Sequence, residues 1–258
     1  MATGILPDES RTILAVIPAR WGSSRFPGKP LALIQGIPMV VRVYQRVASL
    51  IPDVVIATDD ERIADVAHRY GAATMLTSGH HQSGTSRCAE AAKSYSAMKQ
   101  ATFAAVINVQ GDEPLIDSRD LDTLVDLISR PEAEIATLMK TEADAAALQN
   151  PNRVKVVVDR EGYALYFSRL PVPYIRQPLP EGFSPAFYAH VGIYAFKFDV
   201  LERITTLPTG PAALAESLEQ LSWMEHGYKI LCGLTDSGGF GVDTPEDLEE
   251  LMKSGLIR

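Results

Sequence analysis

An alternation of short apolar segments with amphipathic helical segments constrains the fold of this chain more than any other feature. Residues 13–17, 53–57 and 104–109 are nearly all apolar, and each run is followed by a polar loop and then by a helical pattern. Apolar runs of this kind are typical of parallel strands that are covered on both faces. The sequence therefore predicts an α/β protein with a doubly wound, mostly parallel sheet and right-handed crossovers.

The same patterns give the element bounds of a single domain that spans residues 1–258. Strands are predicted at 13–17, 53–57, 74–76, 104–109, 190–196 and 229–234, and helices at 38–49, 60–70, 85–98, 118–129, 199–206 and 211–226. Ser118 is the expected cap of its helix. Residues 153–159 and 162–168 read as an antiparallel hairpin, and the Pro- and Gly-rich stretch 170–185 that follows it predicts a mobile excursion.

Composition excludes several classes of function. The 258 residues carry a formal net charge of -8, whereas broad binding to nucleic acid or to an anionic membrane needs a large basic face. The two cysteines, Cys88 and Cys232, lack disulfide-framework or metal-ligand spacing. No signal-peptide pattern and no run of 18 apolar residues occurs, so a cytoplasmic protein with a small anionic partner is expected.

The loop after the first apolar run is the predicted anion site. Residues 10–52 contain six basic residues and no acidic one, in a chain that is acidic overall. Arg20, Arg25 and Lys29 lie in the loop itself, where a phosphate would be cradled. The loop is not a P-loop, because five residues separate Gly22 from Gly28 and a proline follows the lysine. A solvated basic surface loop is the alternative interpretation.

Carboxylates follow the strongest strand and also precede the last helix. Asp112 and Glu113 come directly after residues 104–109, at the sheet edge where parallel sheets bind ligands. Asp112 is the better metal ligand of the two, and Asp243 is the natural second one because Thr244 already caps the helix. Carboxylates without clustered Cys or His suit Mg²⁺, which shares phosphate oxygens. A solvated loop tip and a helix-start acid remain the alternatives.

A second polar loop leads into a helix at residues 80–87. Ser83, Gly84 and Thr85 can present N–H groups and hydroxyls at the positive end of that helix. Phosphate or base recognition and simple N-capping are equally compatible with this pattern. The pair His80 and His81 lacks a third metal ligand, and His190, in an apolar run, is typical of a core histidine.

With these residues laid out, the chain resembles the 3-deoxy-manno-octulosonate cytidylyltransferases, or CMP-Kdo synthetases, among the sugar nucleotidyltransferases. The resemblance covers nearly the whole chain, and its motifs occur in family order. They are the segments at 17–20, 27–30, 82–87, 108–114, 164–169, 190–194, 218–221 and 241–248.

This resemblance implies a Rossmann-like nucleotidyltransferase that transfers a cytidylyl group from CTP to 3-deoxy-manno-octulosonate (Kdo) in lipopolysaccharide synthesis. It implies Mg²⁺ as cofactor and a homodimer, with the antiparallel subregion 153–210 serving the sugar and the dimer. Catalysis would rest on Arg20, Lys29 and Asp112, and Mg²⁺ on Asp112 and Asp243. Nucleotide contacts would be Ala19, Arg20, Ser23, Arg25, Lys29, Ser83, Gly84, Arg87 and Gln110. Sugar contacts would be Gln110, Arg169, His190, Tyr194, Glu219 and Gln220.

Three positions depart from the family pattern. Family members often carry Arg, Glu and Arg where this chain has Ala189, Ala213 and Ser222. All three positions bear on the sugar side of the site. Another acidic sugar, such as sialic acid or a modified Kdo, is therefore an alternative acceptor. A non-catalytic sugar-nucleotide binding protein is the alternative from a different class.

Overall fold

A computed structural model describes residues 12–22, 25–177, 187–237 and 241–256. The strands are β1 (Ile13–Ala19), β2 (Leu33–Ile34), β3 (Ile37–Pro38), β4 (Asp53–Thr58), β5 (Thr74–Leu76), β6 (Ala105–Asn108), β7 (Ile135–Thr141), β8 (Lys155–Val158), β9 (Ala164–Ser168), β10 (Tyr188–Lys197) and β11 (Ile230–Leu234). The helices are α1 (Met39–Ala48), α2 (Glu61–Arg69), α3 (Gly84–Lys99), α4 (Ser118–Ile128), α5 (Ala145–Gln149), α6 (Phe198–Ile204), α7 (Pro211–Glu216), α8 (Glu219–Glu225) and α9 (Pro245–Lys253). A 3₁₀ turn covers Lys29–Leu31.

Within these ranges nine strands form one sheet, whose main path runs in the order β11-β7-β10-β6-β1-β4-β5. The pairs β11–β7, β6–β1, β1–β4 and β4–β5 are parallel, and β10 runs antiparallel to both β7 and β6. The β8–β9 hairpin joins the sheet because β8 pairs with β10. These pairings confirm the predicted mostly parallel sheet with an inserted antiparallel hairpin.

The helices cover both faces of the sheet. One face buries apolar side chains of α1, α2 and α4, and the other face buries those of α3, α6, α7 and α8. Each fully buried aliphatic side chain contributes roughly 1.5–3 kcal/mol. A third cluster joins Ile34 and Met39 to Val242 and Leu251, and thereby seats α9 against the segment that follows the first loop. This packing brings Asp243 from the end of the chain to the first loop.

Two local predictions were wrong. Asp117 caps α4 by accepting a hydrogen bond from the Arg119 N–H at 2.9 Å, and Ser118 is already the first helical residue. The single helix predicted at 211–226 is two helices, α7 and α8, separated at Ser217, which has φ 52°. The Arg169 guanidinium donates to the carbonyls of Glu216 and Ser217, and these bonds take acceptors that a continuous helix would use.

Strand β7, helix α5 and the β2–β3 pair are absent from the sequence prediction. β7 lies between β11 and β10 and is buried over its first five residues. Residues 170–177 form no regular element, and the rest of the predicted excursion, 178–185, lies outside the described residues. None of the helices in the described ranges has the length and hydrophobicity needed to span a bilayer.

Candidate active site

One cavity of about 290 Å³ opens where β1 and β6 end, at the carboxyl edge of the parallel strands. It is lined by Pro18, Ala19, Arg20, Arg25, Lys29, Pro30, His81, Gln82, Ser83, Gly84, Arg87, Gln110, Gly111, Asp112 and Asp243. The structure therefore brings together the residues predicted to bind nucleotide and metal, apart from Ser23, which lies outside the described residues. Parallel sheets place the carboxyl ends of successive strands side by side, which explains this convergence.

Two glycines allow the loops of this cavity to approach one another. Gly28 has φ +73°, and its N–H donates to the Trp21 carbonyl at 3.1 Å, which turns the chain just before Lys29. A Cβ atom on Gly111 would lie 2.9 Å from the Pro18 carbonyl oxygen. A side chain at position 111 would thus push the loop that carries Asp112 away from the end of β1.

Lys29 joins the two candidate metal ligands. Its Nζ lies 2.6 Å from Asp112 Oδ2 and 3.2 Å from Asp243 Oδ1. Arg25 adds a second cation at 3.3 Å from Asp243. The backbone also connects the two acidic segments, because the Val242 N–H donates to the Asp112 carbonyl at 2.9 Å. Two carboxylates that lie against one ammonium group can be bridged by a cation.

Asp243 is fixed by the start of α9, as the sequence predicted. Thr244 caps the helix, Pro245 occupies its first turn, and Asp247 completes a capping box. The Asp247 carboxylate accepts from the backbone N–H groups of Asp243 and Thr244 at 2.9 and 2.8 Å. Burial acts to raise the pKa of Asp247, but these bonds together outweigh it and the pKa is lowered. The Asp243 side chain is left to face the cavity.

The carboxylates fit a hard divalent ion. No group of three or more His, Cys, Asp or Glu side chains with metal-site geometry occurs among the described residues. Mg²⁺ needs only one or two protein carboxylates when substrate phosphates and water complete its shell, so Asp112 and Asp243 suffice. Burial, followed by the charge of Asp112, raises the pKa of the neighbouring Glu113 to about 7. Glu113 is thus a poorer ligand than Asp112.

The second polar loop is tied to helix α8. Ser83 caps α3 by accepting from the Ser86 N–H at 3.1 Å, so the N-capping interpretation applies. The hydroxyls of Ser83 and Thr85 both donate to the Glu219 carboxylate at 2.8 Å. Nucleotide recognition by Ser83 and Gly84 stays a prediction, and Glu219 is in position to hold their loop.

Arg87 is buried beside the cavity and has two partners that the sequence analysis missed. Its guanidinium donates to Asp59 at 2.9 Å and to Thr77 at 2.5 Å. Asp59 comes directly after strand β4, just as Asp112 follows β6. The signal that identified Asp112, a carboxylate at the end of an apolar run, could therefore also have identified Asp59.

The predicted sugar residues do not share one open cavity with Lys29. Only Gln110 lines it, and its amide donates to the Gly192 carbonyl at 3.2 Å. Glu219 lines an adjacent cavity of about 490 Å³, which shares His81, Gln82 and Ser83 with the first. Arg169 donates to three backbone carbonyls, Tyr194 and Gln220 are buried, and His190 is half-buried.

His190 is held as a neutral imidazole. The Thr137 hydroxyl donates its hydrogen to the Ile193 carbonyl at 2.8 Å. The Thr137 oxygen also lies 2.9 Å from His190 Nε2, so the hydrogen of this second bond is assigned to Nε2. The rings of Phe167 and Tyr194 pack against it with centroid distances of 5.0 and 5.3 Å. Burial lowers the pKa of His190 to about 3. Its Nδ1 can therefore accept a hydrogen bond at neutral pH.

The buried imidazole predicts a loss of stability in acid. Below about pH 6.5 His190 is protonated in the unfolded chain, whereas in the folded chain it stays neutral down to about pH 3. The contribution lost between pH 7 and pH 5 is about 2 kcal/mol. Urea unfolding at both pH values should show that His190→Gln loses less stability than the parent by this amount. The exposed His226→Gln is the control, and equal losses in parent and His190→Gln would contradict the prediction.

Comparison with known proteins places these features in a family. A cytidylyltransferase family model matches residues 14–230. The 3-deoxy-manno-octulosonate cytidylyltransferase of Porphyromonas gingivalis is 44% identical over 93% of this chain and 95% of its own length. The enzyme of the same name from Thermodesulfovibrio yellowstonii is 45% identical over 93% and 96%.

A solved structure agrees with these sequence relatives. The CMP:2-keto-3-deoxy-manno-octonic acid synthetase complexed with CTP superposes with a TM-score of 0.85 and 40% identity, covering 94% of this chain and 98% of that one. The resemblance that the sequence motifs indicated is thereby confirmed. The chain belongs to the 3-deoxy-manno-octulosonate cytidylyltransferase family.

Proposed function

We propose that this chain transfers the cytidylyl group of CTP to Kdo, giving CMP-Kdo and pyrophosphate for lipopolysaccharide synthesis. The observation that carries the proposal is the single cavity in which Arg20, Arg25 and Lys29 meet Asp112 and Asp243. The names of the relatives supply the nucleotide and the sugar.

The reaction needs cations and alignment more than a protein nucleophile. A sugar hydroxyl attacks the α-phosphorus of CTP, and negative charge grows on the phosphate oxygens and on the departing pyrophosphate. Arg20, Arg25 and Lys29 would hold the triphosphate and stabilise that charge. The N-terminus of α3, at Ser83 and Gly84, would add backbone N–H donors for the nucleotide.

Asp112 and Asp243 are the residues that would hold Mg²⁺. When bound, the ion supplies charge neutralisation at the phosphates and lowers the pKa of a nearby hydroxyl. The Lys29 ammonium pairs with both carboxylates and so helps to hold them close together. The same ammonium would also stabilise negative charge on the phosphates of CTP.

Arg169, His190, Tyr194, Glu219 and Gln220, together with Gln110, remain the proposed contacts of the sugar acid. Three of the five guanidinium N–H groups of Arg169 are used on the carbonyls of Pro151, Glu216 and Ser217. Two are left for a carboxylate. The neutral His190 would accept a hydrogen bond from a sugar hydroxyl rather than pair with the carboxylate.

A substrate panel tests the proposal. Purified protein is incubated with CTP and Mg²⁺, and pyrophosphate release is measured with Kdo, an amino-modified Kdo and sialic acid. The fastest release is expected with Kdo, and omission of Mg²⁺ should abolish it. Release only with sialic acid would favour the alternative acceptor. CTP binding without release for any sugar would favour a non-catalytic sugar-nucleotide binding protein.

We further propose a cytoplasmic homodimer of a single domain, with dimer contacts from the subregion 153–210. Among the strands of the described ranges β9 pairs with β8 alone, and it exposes Leu165 and Tyr166. Leu170 and Tyr174 extend this exposed apolar surface. Such a patch on an edge strand is typical of a protein interface. Sedimentation equilibrium over a range of concentrations distinguishes the dimer from a monomer.

A further inference from the structure

Trp21 belongs to the loop that carries Arg20, Arg25 and Lys29, here called the basic loop, and its ring packs against the turn at Gly28. The Trp21 carbonyl accepts from the Gly28 N–H at 3.1 Å, which ties the two residues together. A Cβ atom on Gly28 would lie 3.1 Å from Trp21 Cη2 and 3.2 Å from Cζ2, so the ring sits directly on the turn. Lys29, the next residue, points its ammonium at Asp112 and Asp243. The Trp21 ring is thus in direct contact with the residue that precedes Lys29.

Arg62 fixes the Trp21 ring from helix α2. Its guanidinium carbon lies 3.5 Å from the ring centroid, which is a stacked arrangement. Two hydrogen bonds to Asp60, at 2.9 Å from Nε and 2.6 Å from Nη2, set the plane of the guanidinium. Asp60 is itself fixed because it caps α2 by accepting from the Arg62 N–H at 2.9 Å. The stack thus connects the loop to a rigid helix start.

Neither Trp21, Arg62 nor Asp60 lines the cavity. The positive charge of Arg62 is also paired with Asp60, so it adds little field at the cavity. Any effect of Arg62 on a triphosphate should therefore act through the Trp21 ring and the loop rather than through its charge. We propose that Asp60, Arg62 and Trp21 are positioning residues that hold the basic loop, and with it Lys29, in the conformation that binds the triphosphate of CTP.

This inference rests on the proposed use of CTP, and the test separates the two. Calorimetric titration with CTP and Mg²⁺, without sugar, gives the Kd of the parent and of each variant. Arg62→Met is expected to raise the Kd about threefold, the value of one exposed cation–π contact, and Trp21→Ala about tenfold. Trp21→Phe, which keeps an aromatic ring on Gly28, should recover most of the affinity.

A matched control exists elsewhere in the fold. Arg203 lies over the Tyr228 ring at 5.8 Å and pairs with Asp199 at 2.9 Å, so it repeats the arrangement away from the cavity. Arg203→Met should leave the Kd for CTP unchanged even if it shifts the thermal midpoint as much as Arg62→Met does. Arg62→Lys should recover only part of the affinity, because lysine keeps a cation near the Trp21 ring but lacks the paired bonds that fix the guanidinium to Asp60.

The outcomes are distinguishable. A parent that does not bind CTP overturns the proposed function and with it this inference. A parent that binds CTP, with Arg62→Met and Trp21→Ala equally tight, overturns the positioning role alone. Full recovery by Arg62→Lys would show that a cation suffices without the guanidinium plane that Asp60 sets, and would overturn the positioning role of Asp60.

Discussion

Replacing Lys29 by alanine is expected to lower kcat/KM at least about a hundredfold, roughly 2.7 kcal/mol of transition-state stabilisation. The Lys29 ammonium lies between Asp112 and Asp243, and its side chain is only 14% exposed. Among the ion-paired cations in the described part of the cavity wall, only Arg87 is less exposed. Arg87 is already paired with Asp59. Its loss removes the positive charge that would stabilise the phosphates and leaves two carboxylates that repel them. Initial rates of pyrophosphate release with Kdo over a range of CTP concentrations measure the effect.

Three variants sharpen this experiment. Asp112→Ala should cause a loss of the same order, because the proposed ion site depends on it. Arg25→Ala should cause a smaller loss, since Arg25 is 65% exposed and pairs with Asp243 alone. Lys253→Ala, which breaks an exposed pair on α9, should leave the rates unchanged. Near-normal turnover by Lys29→Ala or Asp112→Ala would overturn the roles assigned to them.

The sequence predicted the parallel part of the fold because apolar runs and caps are local signals. Residues 53–57 and 74–76 became β4 and β5, and the helix pattern at 38–49 became α1. Strand β7 was missed, although five of its seven residues are buried. Its ladder partners, β10 and β11, lie more than 45 residues further along the chain. A strand defined by such distant partners has a weak local signature.

The candidate site likewise has a part that local sequence signals predicted and a part that depends on contacts between distant residues. Arg20, Lys29, Asp112 and Asp243 were found because the first three lie in loops that follow strands and Asp243 precedes a helix, and these positions converge at one sheet edge. The bond pattern of the sugar side was not predictable in this way. The break at Ser217 depends on Arg169, which is 48 residues away in the sequence. Only the folded structure reveals that the Arg169 side chain links Pro151 to the end of α7 at Glu216 and Ser217.

Lys155 is the clearest example of such a contact, and its replacement gives the largest expected loss of stability. Its side chain is buried, with 1% of the residue exposed, and Nζ donates to the carbonyls of Asn150 at 3.0 Å, Arg153 at 2.7 Å and Arg169. Burial lowers the pKa of Lys155, and the Glu216 carboxylate opposes that shift. One ammonium thus ties the start of β8 to the end of β9.

Lys155→Met is therefore expected to lower the free energy of unfolding by at least about 3 kcal/mol. Methionine fills a similar volume, so the loss comes from the three missing hydrogen bonds rather than from a cavity. The Asn150 carbonyl keeps a bond from the Arg153 N–H at 3.1 Å, so the cost falls mainly on the carbonyls of Arg153 and Arg169. Urea unfolding measures it, with the exposed Lys93→Met on α3 as the control. Because Arg169 lies at the same junction, KM for Kdo should rise while the Kd for CTP stays near that of the parent. An unfolding free energy within 1 kcal/mol of the parent would contradict the structural role of these three bonds.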